Sequence, residues 1–305
     1  MRVLEERPLS IEMVGAFASR PRPGAARFRD DLLDVAEATD ERLKPYDVVF
    51  FAGGEDASEA FAPTLEARGT VVIDNSSTFR MREDVPLVVP EVNPEAIRPE
   101  HRLFPVANCT AIILCTALAP VRDRAGLQRM RVATYQAISG AGRAALEAFD
   151  RGEGAVVKNV VPQIGSFDES GESDEERKVR EESAKMLGLP LLDLVATCVR
   201  VPVRTAHSEA VFFTTERPVE RDALAKALAR APSIVYHEGG IVTPRDVEGT
   251  DDVHVARLRG PYDGDDDAAV GREFSLWCCG DQLRKGAATN AVQILELLVE
   301  RGVVR

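Results

Sequence analysis

The sequence predicts an α/β chain of two domains, a doubly wound parallel sheet followed by an α+β domain on a mostly antiparallel sheet. Three observations predict this. At 305 residues the chain suits about two domains of ordinary size. Between Val48 and Asp74 it reads strand, helix, strand with short connections, which implies a right-handed βαβ crossover. From Met130 the texture changes to longer strands interleaved with helical periods.

The elements follow in order. Val48-Val49-Phe50-Phe51-Ala52 is a continuous apolar run ending in Gly53-Gly54, as in a parallel strand buried on both faces. Glu55 to Arg68 follows as a helix whose middle Pro63 interrupts, and after Gly69 the segment Thr70 to Asp74 returns as a strand. A short strand at Leu103 to Ala107 leads into the apolar helix Ala111 to Ala119, which Pro120 is expected to end. In the second half, strands are predicted at 130–135, 195–203, 209–214, 253–258 and 274–279, and helices at 142–150, 175–187 and 220–231. The last helix, Gly286 to Glu300, shows a packing face at Ala291, Ile294, Leu295 and Leu298. Asp168 to Glu176 and Asp263 to Asp267 read as solvated acidic loops.

Composition narrows the function. Net charge is −12, from 38 basic and 50 acidic residues, so the surface repels nucleic acid and anionic lipid, and an anionic ligand needs a local Arg/Lys cluster. The longest apolar stretch, Ala111 to Val121, falls short of the roughly 20 residues a bilayer requires. The opening MRVLEERPLS carries charges where a signal peptide would be apolar, so neither secretion nor membrane spanning is expected. Five cysteines without framework spacing read as free thiols in a reducing cytoplasm. With no CxxC pair and four scattered histidines, no metal site is expected.

Asn108-Cys109-Thr110 is the most informative tripeptide. It sets Cys109 at the N-terminus of a buried helix, where unpaired N–H groups and the dipole favour thiolate and could hold an oxyanion. A small core cysteine is the competing reading from position alone. Cys115, Cys198, Cys278 and Cys279 read as core residues. Tyr135 to Gly142 (YQAISGAG) ends a strand in a glycine turn, where Gln136 could position a carbonyl and the glycines admit close backbone approach. Arg200 inside the apolar strand LVATCVRVPV is costly to bury without an anionic partner, and a substrate carboxylate would serve. His207, seven residues on, could act as general acid and base. His101, His237 and His254 read as ordinary surface or satisfied residues.

Taken in order, NSSTFRMREDVPLVVPEVN from Asn75, Asn108-Cys109-Thr110, YQAISGAG from Tyr135, CVRVPV from Cys198, His207-Ser208-Glu209 and DQLRKGAATNAVQI from Asp281 closely resemble aspartate-β-semialdehyde dehydrogenase. The resemblance runs the length of the chain. It implies a Rossmann-like dinucleotide-binding domain over 1–107 plus 282–305 and a catalytic and dimerisation domain over 108–281. It implies reduction of aspartyl-4-phosphate to aspartate-4-semialdehyde with NADP, in lysine, threonine and methionine synthesis, by a cytoplasmic homodimer or homotetramer. By the same resemblance Cys109 forms the thioester, His207 takes and returns a proton, and Gln136 orients the thioester or its attacking group. Arg200 binds the α-carboxylate and Glu175 the amino group, Arg80 and Lys178 bind phosphate, and Asn108 lines the substrate site. Ser19, Arg20, Arg22, Gly53, Gly54, Ser139, Gly140 and Asn290 fall to the cofactor, with Arg20 and Arg22 favouring NADP over NAD.

The departures set further expectations. Family members begin with a strand and a G-x-x-G-x-x-G turn that holds the pyrophosphate at a helix N-terminus. Here MRVLEER resembles the remainder of the helix after that turn, so roughly twenty residues, including the first strand, are expected to be absent from the sheet. A start codon set too late accounts for this. The alternative is a non-catalytic paralogue that dimerises with or regulates a true enzyme. Phe104-Pro105-Val106-Ala107 stands where the family has an Ala-Asn-Pro-Asn approach to the cysteine. A third reading, reduction of N-acetylglutamyl phosphate, fits the RVPV and HSE contexts less well.

Overall fold

The computed structural model describes residues 1–52, 54–264 and 269–304. In chain order its elements are α1 (Arg2–Glu5), β1 (Ala16–Ala18), β2 (Arg22–Phe28), β3 (Asp31–Glu37), α2 (Asp40–Leu43), β4 (Val48–Phe51), α3 (Glu55–Ala67), β5 (Val71–Asp74) and β6 (Leu103–Pro105). There follow α4 (Cys109–Ala125), β7 (Arg129–Gln136), α5 (Arg143–Asp150), α6 (Asp174–Leu187), β8 (Asp193–Arg200) and β9 (His207–Glu220). The last are α7 (Arg221–Arg230), β10 (Ile234–His237), α8 (Pro244–Val247), β11 (Val253–Arg259), β12 (Val270–Gly280) and α9 (Asn290–Glu300). The chain divides into two compact units: residues 1–90, 94–107 and 288–305, and residues 91–93 with 108–287. Residues 282–287, grouped from sequence with the first domain, pack with the second unit.

In the first unit β4, β5 and β6 form a parallel sheet, with α3 as the crossover between β4 and β5. All four residues of β5 are buried, as its unbroken apolar pattern requires when both faces are covered. Leu43, Val49, Phe51, Ala62, Leu65 and Val72 share its core. Ala62 and Leu65 flank Pro63, and their burial holds α3 together through the missing N–H. The alternation of strand and helix does not foresee the second sheet, order β1-β3-β2, in which β2 and β3 form a hairpin turning at Arg29 and Asp30. Arg29 adopts the left-handed φ of 54° there.

The second unit is built on a six-stranded sheet, order β10-β11-β12-β9-β7-β8, antiparallel through its centre and parallel at each edge pair. Alternation assigns its two faces. Met130, Val132, Gln136, Cys198, His207, Val211, Phe213 and Phe274 point inward, whereas Tyr135, Val195 and Phe212 point outward and are exposed. α4 packs against the sheet and against α6 and α7. It does not stop at Pro120 but runs on to Ala125. Twelve of its residues are buried, and that packing outweighs the roughly 3 kcal/mol a helix-interior proline costs.

Two further expectations change. The acidic stretch 168–176 is a loop only as far as Ser173, whose side chain caps α6 in a reciprocal box with Glu176. The last α-helix starts at Asn290, because 284–289 wind into a wider π-helical turn. Of the other acidic loop, Asp263 accepts the N–H groups of Arg272 and Glu273, and 265–267 lie outside the described residues.

Candidate active site

The site grows from the register of three neighbouring strands. Gln136 ends β7 and pairs with Arg200 at the end of β8, while Tyr135 pairs with Ser208 of β9, the residue after His207. Gln136, Arg200 and His207 therefore form a row on the inner face at one end of the sheet. α4 begins opposite this row. Its N-cap is Asn108, whose Oδ1 accepts the N–H groups of Thr110 at 3.0 Å and Ala111 at 3.2 Å. Two N–H groups that could have held an oxyanion are thus already paired.

Cys109 is the first residue of α4, partly accessible, with Sγ 3.5 Å from His207 Nε2. The Ala137 N–H donates to His207 Nδ1 at 3.1 Å, so the neutral ring carries its proton on Nε2, facing the sulfur. Burial, reinforced by the Arg200 charge, pushes the His207 pKa down to about 3. The other four thiols are buried and their pKa values are driven up, Cys115 and Cys279 to about 12. Cys109 alone combines access with a facing donor.

Arg200 is half-buried, and its Nη1 donates to Ala137 O at 2.6 Å. Among the described residues no carboxylate stands within ion-pair distance of it, so the fork keeps donors for an incoming anion. Gly140 leaves room for this arrangement: a Cβ there would lie 3.1 Å from both Arg200 Nη1 and His207 Nε2. Gly286 does the same beside the nucleophile, where a Cβ would sit 2.9 Å from Cys109 Cβ.

Other predicted residues have different surroundings. Glu175 Oε1 accepts from Asn108 Nδ2 at 3.0 Å and Gln136 Nε2 at 2.9 Å, so it ties two site amides together. Gln136 Oε1 accepts from Thr134 at 3.0 Å. Asn108, expected in the substrate site, is spent as a cap, with both ends of its amide engaged. Lys178 is half-buried on α6, three residues past Glu175, and Ser139 takes a hydrogen bond from Gln282. Arg80, Ser19, Arg20, Arg22, Gly54 and Asn290 belong to the first unit. Arg80 there donates to Asn75 O at 3.1 Å. Gly53 lies outside the described residues.

Sequence reasoning missed Glu182, which accepts the Asn108 N–H, and the fully buried Lys285, paired with Glu91. Glu182 had a signal: it lies seven residues after Glu175, on the buried stripe that includes Val179 and Met186.

Burial also sets opposing pH limits on stability. His207, ordinarily near 6.5, stays neutral in the fold, so its contribution is present above pH 6.5 and is lost as pH falls toward 3. Glu209, wholly buried, rises from 4.5 to about 8 and stays protonated, so its contribution is present below pH 4.5 and is lost as pH rises through 8. The two slopes oppose each other between 4.5 and 6.5, and only Glu209 acts from 6.5 to 8. Glu209→Gln is expected to remove up to about 1.4 kcal/mol per pH unit from that alkaline limb. Thermal unfolding of both proteins from pH 6.5 to 8 checks this, and equal slopes refute it.

Residues 1–99 match the family described as semialdehyde dehydrogenase, NAD binding domain, and residues 118–285 match semialdehyde dehydrogenase, dimerisation domain. The aspartate-semialdehyde dehydrogenase of Aquifex aeolicus is 36% identical over 328 residues, covering 100% of this chain and 95% of the relative. That of Synechocystis is 38% identical over 325 residues, covering 99% and 94%. Among solved structures, aspartate semialdehyde dehydrogenase II from Vibrio cholerae, complexed with ASA, superposes with a TM-score of 0.89 at 34% identity, covering 98% of this chain and 93% of that one.

Proposed function

The chain belongs to the aspartate-semialdehyde dehydrogenases, and on that premise we propose that it reduces L-aspartyl-4-phosphate to L-aspartate-4-semialdehyde through a thioester on Cys109, with NADP as cofactor. The observation that carries this reading is the Cys109 Sγ to His207 Nε2 approach of 3.5 Å at the start of α4. The thiolate attacks the acyl carbon, the bond from that carbon to the phosphate oxygen breaks, and the acyl group stays on sulfur. His207, expected from the sequence to take and return a proton, acts at Nε2. There the neutral ring hydrogen-bonds the thiolate and then the oxyanion of the hemithioacetal. When that intermediate collapses the carbon–sulfur bond breaks, the aldehyde leaves and the thiolate returns. Arg200 takes the α-carboxylate in its fork, and Glu175 meets the amino group while it fixes Gln136 and Asn108. Arg80 and Lys178 supply the cations for phosphate.

The cofactor supplies the hydride when bound. In the first unit the donor set suits a dinucleotide. Asn290 Oδ1 is buried and has no partner among the described residues, an acceptor suited to a carboxamide N–H. Gly54 has φ 99° with open space where a Cβ would stand. Arg20, between β1 and β2, and Arg22, the first residue of β2, are exposed and favour the extra phosphate of NADP. Ser19 completes the first-unit set, and Ser139 and Gly140 of the second unit are the further residues proposed for the cofactor.

Purified protein given aspartate-4-semialdehyde and phosphate should reduce NADP in preference to NAD, with the acyl phosphate trapped by hydroxylamine. No phosphate-dependent reduction with either dinucleotide would reject the proposal. A parallel assay with N-acetylglutamate-5-semialdehyde excludes the related reductase.

The proposed setting is lysine, threonine and methionine synthesis in the cytoplasm, a compartment suited to five free cysteines. The proposed assembly is a homodimer, or a homotetramer made of two such dimers, joined through the outer face of the six-stranded sheet. Phe212 is 51% exposed at its centre, Val195 54%, and the Tyr135 ring packs on Trp277 at 5.4 Å. Phe212→Asp should raise the dimer dissociation constant about a hundredfold. Sedimentation equilibrium checks this, and an unchanged constant sinks the choice of face.

A further inference from the structure

Asn108 directly precedes the nucleophile, so whatever fixes its backbone fixes where Cys109 starts. Its side chain is held at both ends, by the first turn of α4 and by Glu175. Its backbone N–H is held separately. Glu182 Oε2 accepts it at 2.6 Å, a length typical of hydrogen bonds to a charged acceptor, across 74 residues of chain. Glu182 is 2% exposed, and its neighbours on the inner stripe of α6 include Val179 and Met186. A carboxylate is expensive to bury in such company, and this one faces the N–H ahead of the reactive sulfur. On the other side Gly286 closes against Cys109, so the segment is confined from two directions.

We propose that Glu182 is a positioning residue for Cys109, its carboxylate pinning the Asn108 N–H so that Sγ is held beside His207 Nε2. Glu175 and Glu182, two helical turns apart on one face of α6, thereby form a two-point template for the start of α4. The template links the side chain and the backbone of a single residue. The inference rests on Cys109 being the nucleophile.

Glu182→Gln keeps the volume and an acceptor oxygen but removes the charge. It should lower kcat about tenfold, the difference between a charged and a neutral hydrogen bond, with KM for semialdehyde and phosphate unchanged. Alkylation of Cys109 by iodoacetamide should slow by the same factor. Glu182→Leu, which removes the acceptor, should lower both by about a hundredfold. If the leucine variant fails to fold, the glutamine variant decides. A folded Glu182→Gln protein with unchanged kcat and unchanged alkylation overturns the proposal. So does a lower melting temperature with kcat per folded site intact, the result of a merely structural role. The alkylation rate is read without turnover, so failure of the thioester mechanism would show separately, as activity persisting in Cys109→Ser.

Discussion

Cys109→Ser is expected to lower kcat by at least about a thousandfold while leaving the fold, the assembly and dinucleotide binding intact. Serine is nearly isosteric and can occupy the first position of α4 without disturbing the Asn108 cap, which uses backbone N–H groups and its own side chain. Its hydroxyl stays protonated where the thiol ionises, so a hydrogen bond from His207 Nε2 has no thiolate to stabilise. Intact-mass analysis with an acyl phosphate should show an adduct on the wild type and none on the variant. In the wild type, one equivalent of alkylating agent should modify Cys109 ahead of Cys115, Cys198, Cys278 and Cys279, whose burial raises their pKa values. Substantial activity in the serine variant would end the nucleophile assignment.

Arg200→Lys should raise KM for the semialdehyde about a hundredfold with a smaller loss in kcat. Lysine keeps one positive charge but loses the planar fork that grips a carboxylate at two points, and each charge-assisted hydrogen bond is worth about 1.5–3 kcal/mol. The substitution also removes the bond from Nη1 to Ala137 O, and a partial drop in kcat follows because Ala137 N–H orients His207. Steady-state kinetics give the split, and Cys109 alkylation reports whether the nucleophile is disturbed. An unchanged KM would mean that the carboxylate binds elsewhere.

Much of the molecule was legible locally. The apolar run from Val48 and the strand at Thr70 form β4 and β5 as strands. Only β5 is buried on both faces, whereas in β4 Val49 and Phe51 are buried and Val48 and Phe50 are half-buried. Cys109 opens a buried helix because Asn108 is a strong cap before an apolar run, a relation spanning a few residues. Where a local rule met a packed environment the environment prevailed. Pro120 does not end α4, because Ala117, Leu118, Ala119, Val121 and Ala125 on either side of it are buried and hold the helix in place. The β2–β3 hairpin escaped notice because its turn, Arg29-Asp30, lacks the glycine or asparagine that usually marks one.

By itself the sequence determined which residues are present, which of them start or end an element, and the family to which their order belongs. Only the tertiary structure decided what each side chain is paired with. Cys109 and His207 are 98 residues apart and meet because strand register sets His207 in one row with Gln136 and Arg200, opposite the start of α4. Glu175 and Asn108, read as substrate ligands, also hold each other in the fold, and Glu182, unremarked in the sequence, holds the backbone N–H of Asn108, the residue before the nucleophile. Propensity and periodicity act over a few residues. A buried carboxylate takes whichever donor the packing of distant elements brings within about 3 Å, and no local pattern encodes that choice.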